Sequence, residues 1–229
     1  MNWKEFWNKA AIENSAPMAQ VGRIKSGEIV DQETVQHILS HILQQLSLTP
    51  TDTLLDVCCG NGFLTHHLAK HCKQVTGIDL SVQQIEIAAE NYHRSNIEYI
   101  CGDVCDIVKY VNQSFDKINL YFSWQYFDTF SKGEEAFIQL WKLLKPGGTM
   151  FIGDVPLKEK LNVFYPTPAR QATYHLNLIR GKSDMGKFWA VQEMEQLGKA
   201  VGAEFSYTSQ PDTLPYAHYR GDFLFKKPI

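Results

Sequence analysis

A turn rich in glycine and cysteine is the part of this chain whose residues are best suited to chemistry. Cys58-Cys59-Gly60-Asn61-Gly62 follows a run typical of a buried strand, Thr53–Val57, and precedes a helical run that begins at Phe63. Glycines let the backbone approach a ligand without a Cβ atom in the way. The first N–H groups of a helix have no partner within the helix and can bind an acceptor atom. Strand, turn and helix start together predict a socket of the size of a nucleotide.

Two acids follow at positions where a parallel sheet binds ligands. Asp79 ends a second predicted strand, Gln74–Asp79, and Asp103 comes two residues after a third, Ile97–Cys101. Ligands of open parallel sheets lie at the carboxyl ends of the strands. A carboxylate at Asp79 is suited to accept both hydroxyls of a ribose, and an acid that ends a strand has little structural purpose otherwise. Asp103 either binds ligand or caps the short helix after it.

Hydrophobic periodicity predicts the elements that position these residues. Asp31 is the predicted N-cap of an amphipathic helix, whose apolar residues from Val35 to Leu46 follow the i, i+3, i+4, i+7 spacing. A proline-glycine break at Lys145–Gly148 ends a later helix sharply. The remaining predicted elements are helices over 81–93, 106–111, 132–144 and 189–201 and strands over 115–121, 149–153, 204–208 and 220–226.

Two segments interrupt this alternation. Residues 3–13 are predicted to form a short helix with Trp3, Phe6 and Trp7, which either packs or covers a ligand, and residues 14–30 are predicted to be loop. Arg23 and Lys25 in that loop are either solvated or face an anion. Residues 156–188 contain three prolines, several aromatic residues and an excess of Lys and Arg. A solvated surface or an anionic ligand would account for that excess.

Composition excludes several classes of protein. The 229 residues, 44% hydrophobic and 21% charged, suit one globular domain, and the net charge of −3 does not favour nucleic acid. No apolar run approaches the roughly 18 residues needed to span a bilayer, and the N-terminus has no apolar signal core. The five cysteines argue against a disulfide framework and predict a cytoplasmic protein. Cys101 and Cys105, with the nearby histidines, lack paired ligand spacing, so no metal site is predicted.

The ordered set of motifs resembles the class I S-adenosylmethionine-dependent methyltransferases of the small-molecule type. Their first motif, acidic-x-Gly-x-Gly-x-Gly, reads here Asp56-x-Cys58-x-Gly60-x-Gly62, with cysteine in place of the first glycine. Asp79 and the Gly102-Asp103 step follow in the family's order, and L-L-K-P-G-G-T-M-F-I is very like its fifth-strand signature. The resemblance covers roughly Val35 to the C-terminus, apart from residues 156–188.

The resemblance implies both fold and cofactor. It implies a single α/β domain with a doubly wound, mostly parallel, Rossmann-like sheet of seven strands whose last strand is antiparallel. Residues 1–30 would form an N-terminal lid, and residues 156–188 would be an insertion after the fifth strand, on the substrate side. S-adenosylmethionine would be bound, with Asp103 contacting the adenine amino group and Val104 against the ring. The implied cofactor residues are Asp56, Cys58, Gly60, Gly62, Asp79, Leu80, Asp103, Val104 and Tyr121.

The methyl acceptor would be a small molecule, methylated at oxygen or nitrogen and either anionic or aromatic. A general base helps when the acceptor is a hydroxyl or a carboxyl group, and three candidates are His218, His175 and Asp154. Each has a structural alternative, as a solvated or packed histidine or as a cap. Trp124, Gln125 and Tyr126 follow the fourth strand and either shape the acceptor pocket or pack in the core.

Two alternatives to a methyltransferase remain open at this point. A protein with this fold could bind the cofactor without turnover, because glycines and an acid account for binding alone. A nicotinamide oxidoreductase is disfavoured, since Thr65 stands where the G-x-G-x-x-G fingerprint has its third glycine. The sequence leaves the oligomeric state open.

Overall fold

A seven-stranded sheet organises the molecule, which is described for all residues 1–229 by a computed structural model. The strand order is β5-β4-β3-β6-β7-β9-β8. Neighbouring strands are parallel from β5 to β7, while β9 runs antiparallel between β7 and β8. The strands are β3 Thr53–Val57, β4 Gln74–Asp79, β5 Ile97–Cys101, β6 Phe115–Tyr121, β7 Leu144–Pro156, β8 Glu204–Ser209 and β9 Arg220–Lys226, with a separate hairpin of β1 Ile24–Lys25 and β2 Glu28–Ile29. This confirms the predicted Rossmann-like sheet with an antiparallel last strand.

Helices cover both faces of the sheet. The central strands are apolar on both sides, as expected for parallel strands buried between layers. Helices α6 (Phe130–Leu143) and α9 (Val191–Ala200) pack on one face, and helices α3 (Gln32–Leu46) and α4 (Phe63–Leu68) pack on the other. The helices are α1 Trp3–Glu13, α2 Pro17–Gln20, α3 Gln32–Leu46, α4 Phe63–Leu68, α5 Val82–Asn91, α6 Phe130–Leu143, α7 Leu161–Phe164, α8 Pro168–Ile179 and α9 Val191–Ala200. Short 3₁₀ helices span Val104–Lys109, Trp124–Tyr126 and Lys158–Lys160.

Three local predictions differ from the structure. Residues 14–30 contain α2 and the β1–β2 hairpin instead of loop alone. The helix predicted over 106–111 is a 3₁₀ helix that begins at Val104. The strand predicted over 149–153 extends to 144–156, because β7 pairs with β6 on one side and with β9 on the other along this length.

Candidate active site

The turn after β3 is held in left-handed backbone at Cys58, Gly60 and Gly62, with φ values of +55°, +55° and +78°. A Cβ atom on Gly62 would lie 2.6 Å from the Tyr99 hydroxyl and 2.7 Å from the Cβ of Ala88, so only glycine fits there. Cys58 adopts this conformation although it has a side chain, which costs roughly 1–2 kcal/mol. The cysteine in place of the first glycine of the motif therefore keeps the backbone shape that glycine would adopt freely.

Asp56, the first acid of the motif, lies behind this turn. Its carboxylate accepts hydrogen bonds from the Thr65 hydroxyl at 2.6 Å and from the Asn119 amide at 2.7 Å. These contacts tie β3 to α4 and to β6, and they leave Asp56 buried outside the cavity described below. Burial raises the pKa of Asp56 from 3.8 to about 6, against the opposing effect of the two hydrogen bonds.

This burial predicts a pH-dependent cost to stability. Native Asp56 keeps its proton up to about pH 6, whereas the unfolded chain releases it near 3.8. The stability that the protonated form contributes is full below 3.8 and is lost as the pH rises through 6. We expect the stability gain of Asp56→Asn over wild type to grow by about 2 kcal/mol between about pH 4.5 and pH 7. Urea unfolding at both pH values measures it, with the exposed Asp212→Asn as a control for removing one charge. An unchanged difference would contradict the expectation.

Asp79 ends β4 and connects two parts of the site. One carboxylate oxygen accepts the Gly60 N–H and the other accepts the Ser81 N–H, each at 2.9 Å. Burial raises the pKa of Asp79, and these backbone N–H groups act against that rise. The premise that an acid here has little structural purpose was therefore wrong, because Asp79 fixes the glycine turn while it also lines the cavity.

A cavity of about 340 Å³ opens at the carboxyl edge of the sheet. Its walls come from the ends of β3, β4, β5 and β6, and α1 supplies Trp3 and Trp7. The sequence-predicted residues that line the cavity are Cys58, Gly60, Asp79, Leu80, Asp103, Val104, Tyr121 and Tyr126. Asp103 also accepts the Cys105 N–H at 2.9 Å, so it is a helix cap and a wall residue at once.

Trp124 and Gln125, predicted to shape an acceptor pocket, do not line the cavity. They belong to a 3₁₀ helix with Tyr126, in which successive side chains point about 120° apart. Trp124 is fully buried against Trp189, and the Gln125 amide donates to the Phe122 carbonyl at 2.7 Å. Only Tyr126 of the three therefore faces the ligand side.

The three candidate bases also lie away from the cavity lining. His175 on α8 and His218 before β9 are exposed, because the adjacent Tyr174 and Tyr219 occupy the inward direction. Asp154 is buried, and its Oδ2 accepts a hydrogen bond from Arg23 Nη1 at 2.9 Å. The structure thus pairs Asp154 with an arginine and brings neither histidine to the site.

Several wall residues were missed by sequence reasoning. Some of them directly follow a strand end or lie within the motif turn, and for these the position after a strand was the available signal. Arg23, for which a solvated and an anion-facing position were both open, is 3% exposed. The missed residues include Cys59, Asn61, Gln84, Cys105, Phe122 and Lys132.

Thiols and acids near the turn do not form a metal site. Burial raises the pKa of the Cys58 and Cys59 thiols well above 9.0, and the neighbouring carboxylate of Asp79 adds to that rise. Both thiols therefore favour the uncharged form in this environment. Across residues 1–229, no group of three or more His, Cys, Asp and Glu is arranged to hold a metal ion.

None of the helices is both long enough and apolar enough to cross a membrane.

The cavity suits a nucleoside that carries an amino-acid chain. Leu80 and Val104 provide apolar surface near Asp103, and the Asp79 carboxylate accepts the N–H of Gly60 in the motif turn. A Cβ atom on Gly60 would lie 2.7 Å from Val21 Cγ1, so that the turn approaches the N-terminal segment closely. The two acids, the apolar side chains beside them and the closely packed glycine turn thus suit S-adenosylmethionine.

Known structures share this architecture. The N-methyltransferase NodS from Bradyrhizobium japonicum WM9, solved in complex with S-adenosyl-L-homocysteine, superposes with a TM-score of 0.68 over 100% of both chains at 18% identity. A SAM-dependent methyltransferase from Anabaena variabilis superposes with a TM-score of 0.66 over 98% of this chain and 93% of that chain, at 20% identity. These likenesses show the fold.

Sequence comparison identifies the family. Residues 55–152 match the family described as a methyltransferase domain. The malonyl-[acyl-carrier protein] O-methyltransferase of Priestia megaterium is 25% identical over 72% of this chain and 59% of its own length. The ubiquinone biosynthesis O-methyltransferase of Coxiella burnetii (strain RSA 331 / Henzerling II) is 30% identical over 167 residues, 72% of this chain and 68% of that relative. At this identity and coverage, the chain belongs to the class I S-adenosylmethionine-dependent methyltransferases, and S-adenosylmethionine is its cofactor.

Proposed function

We propose that this protein transfers the methyl group of S-adenosylmethionine to an oxygen or nitrogen atom of a small acceptor. The observation that carries the proposal is the continuity of one cavity. It runs from Asp79 and Val104 on the cofactor side to Tyr121 at the end of β6 and to Phe122 and Tyr126 beyond it. Relatives named as O-methyltransferases, and a structural neighbour named as an N-methyltransferase, support either acceptor atom.

The cofactor residues act by binding and orientation. We assign Asp79 to the ribose hydroxyls, Leu80 and Val104 to the faces of the adenine, and Asp103 to its amino group. We assign the backbone of the motif turn at Gly60 to the amino-acid chain of the cofactor. Asp56 and Gly62 support this turn from behind, as their contacts with Thr65, Asn119 and Tyr99 indicate.

The chemistry needs alignment more than acid–base groups. The bound cofactor supplies a methyl group that its sulfonium charge already activates. The walls hold the acceptor in line and keep water out, which can contribute about 7–11 kcal/mol. At the β6 end, the lining residues Tyr121, Phe122, Ser123, Tyr126 and Phe127 include no imidazole and no carboxylate, and the lining carboxylate of α6, Glu135, is exposed to solvent. We therefore favour an acceptor atom that is nucleophilic without a base, such as a neutral amine nitrogen or a carboxylate oxygen.

The domain organisation supports a small acceptor over nucleic acid. We propose one domain over 1–229, with residues 1–30 as a lid and residues 156–188 as the substrate-side insertion. Trp3 and Trp7 of α1 line the cavity, and the net charge of −3 offers no general attraction to phosphate backbones. All five cysteines are unpaired, which supports a reducing compartment such as the cytoplasm.

If residues 1–30 form a lid, removing a side chain of α1 that lines the cavity should weaken cofactor binding. Trp7 contacts the Tyr126 ring at 5.4 Å between centroids, and Asn8 on the same helix accepts a hydrogen bond from Ser81 at 2.6 Å. We expect Trp7→Ala to weaken S-adenosylhomocysteine binding about 10-fold, since a large apolar contact is removed from the cavity. Calorimetric titration measures the change. Ile12→Ala on the same helix, at a side chain 72% exposed, is the matched control and should bind as wild type does. Equal affinities for the two variants would contradict the lid.

Calorimetry followed by a transfer assay tests the function itself. The purified protein is titrated with S-adenosylmethionine, S-adenosylhomocysteine and NADH, and binding of both adenosyl ligands without NADH is expected. Transfer of labelled methyl from S-adenosylmethionine is then measured over a panel of small amines, carboxylates and phenols. Binding of the cofactor with no transfer to any member of the panel would count against turnover on acceptors of this size.

A further inference from the structure

One cation in the wall of the cavity has unused hydrogen-bonding capacity. Arg23 is 3% exposed, and its Nη1 donates to Asp154 Oδ2 at 2.9 Å. Nε and Nη2 have no hydrogen-bond partner in the chain. Both nitrogen atoms are accessible to solvent, and Arg23 lines the cavity. A buried guanidinium with free donors toward a cavity provides a site for an anion.

This guanidinium is rigidly held. Its carbon lies 4.0 Å from the centre of the Phe122 ring and 5.0 Å from that of Tyr121. Asp154, its ion-pair partner, has φ +59° at a register shift in the pairing of β7 with β9, and its carbonyl accepts a hydrogen bond from Arg220. Because the stack and the ion pair fix the group in advance, little ordering is needed when a ligand binds.

The charges around Arg23 define the anion. Arg23 and Arg220 both form ion pairs with Asp154, and Asp222 accepts the backbone N–H of Asp154 at 2.8 Å. Asp222 also contacts His41 Nε2 at 2.6 Å. The two arginines and the two carboxylates balance in charge, so the cluster has no excess of positive charge to match a dianion. A singly charged anion therefore suits the site better than a phosphate dianion, and the planar fork of arginine matches a carboxylate.

The position of Arg23 favours the acceptor over the cofactor. Its stacking partners are Tyr121, which ends β6, and Phe122, which follows it, and its ion-pair partner Asp154 belongs to β7. Arg23 is also two residues from Val21, which lies close to Gly60 in the motif turn, so the carboxylate of the cofactor is the competing ligand for this arginine. Resting on the proposed function, we infer that Arg23 anchors a carboxylate group of the methyl acceptor. The inference concerns how the acceptor is held and leaves open which of its atoms receives the methyl group.

Paired acids and amides test this anchor. Benzoate, hexanoate and 4-aminobenzoate, each with its primary amide, are titrated into the complex of the protein with S-adenosylhomocysteine. At least one acid should bind wild type about 10-fold or more tightly than its amide, and Arg23→Gln should reduce that preference below about threefold. The exposed Lys25→Gln, two residues away, is the matched control and should keep the preference. Equal binding of every acid and its amide to wild type would overturn the inference.

Two further measurements separate competing explanations. The cofactor has a carboxylate of its own, so S-adenosylhomocysteine is compared with 5′-methylthioadenosine, which lacks it. If Arg23→Gln weakens only S-adenosylhomocysteine, by about 10-fold or more, the arginine serves the cofactor and the inference is overturned. Arg23→Lys keeps a charge beside Asp154 if the glutamine variant does not fold, and its loss of the fork should still lower the preference for the acid. Wild type that fails to bind S-adenosylhomocysteine would instead contradict the proposed function.

Discussion

Asp79→Ala is expected to bind S-adenosylhomocysteine at least about 100-fold more weakly than wild type, a loss of roughly 2.7 kcal/mol. The substitution removes the carboxylate that lines the cavity and also releases the N–H groups of Gly60 and Ser81. Both effects act on binding, because the freed turn no longer has a fixed shape. Isothermal titration calorimetry of the two proteins measures the ratio.

Folding and binding can be separated at this position. Burial raises the pKa of Asp79, so the native state bears a cost for the ionised acid that alanine removes. The melting temperature of Asp79→Ala is measured beside its affinity, so that the loss of binding refers to folded protein. Glu86→Ala, at an exposed acid on α5, is the matched control. An affinity of Asp79→Ala within about threefold of wild type would show that this acid is not part of the cofactor site.

Asp154→Asn is expected to lower the free energy of unfolding by about 3–5 kcal/mol, the cost of leaving a buried charge without its partner. Arg23 and Arg220 are each 3% exposed, and Asp154 is their shared carboxylate. Asparagine tolerates the left-handed backbone of this position better than most residues, so the variant isolates the loss of charge. Urea unfolding at neutral pH measures the loss.

A surface ion pair provides the comparison for Asp154. Glu195 and Lys199 form an exposed i, i+4 pair on α9, and Glu195→Ala should cost no more than about 0.5 kcal/mol. Adding Arg23→Met to Asp154→Asn should recover part of the stability, because the double variant buries one uncompensated charge fewer. A loss below about 1 kcal/mol in Asp154→Asn would mean that the cluster is hydrated or rearranged rather than tightly buried.

Local patterns were sufficient to predict the sheet and to bring Asp79 and Asp103 to one edge of it. Asp79 ends one short apolar run and Asp103 follows another by two residues, so both strand ends are visible in the sequence. Parallel strands then bring those ends together. The same reasoning was insufficient for the segment that follows β6. Which of Trp124, Gln125 and Tyr126 faces the ligand depends on the 3₁₀ geometry of the turn, which no periodicity over three residues defines.

The acceptor end depends on contacts between distant parts of the chain. Arg23 and Asp154 are 131 positions apart, and Asp154 is joined to Asp222 a further 68 positions along. A sequence shows an arginine in a loop and an acid after a strand, and each has an ordinary solvated interpretation. His175 and His218 seemed plausible bases for the converse reason, since their exposure is decided by the inward packing of neighbouring tyrosines.

The insertion of β9 between β7 and β8 has a consequence for synthesis of the protein. Residues 53–101, which contain β3, β4 and β5, leave the ribosome early, and domains generally begin to fold as they emerge. The strand that completes the sheet, Arg220–Lys226, is made last, and it carries the Asp222 that binds the backbone of Asp154. A nascent chain can therefore contain all the strands that line the cavity before the strand that supports Asp154 is made. The ion pair of Arg23 with Asp154 gains this support late, when the final strand enters the sheet.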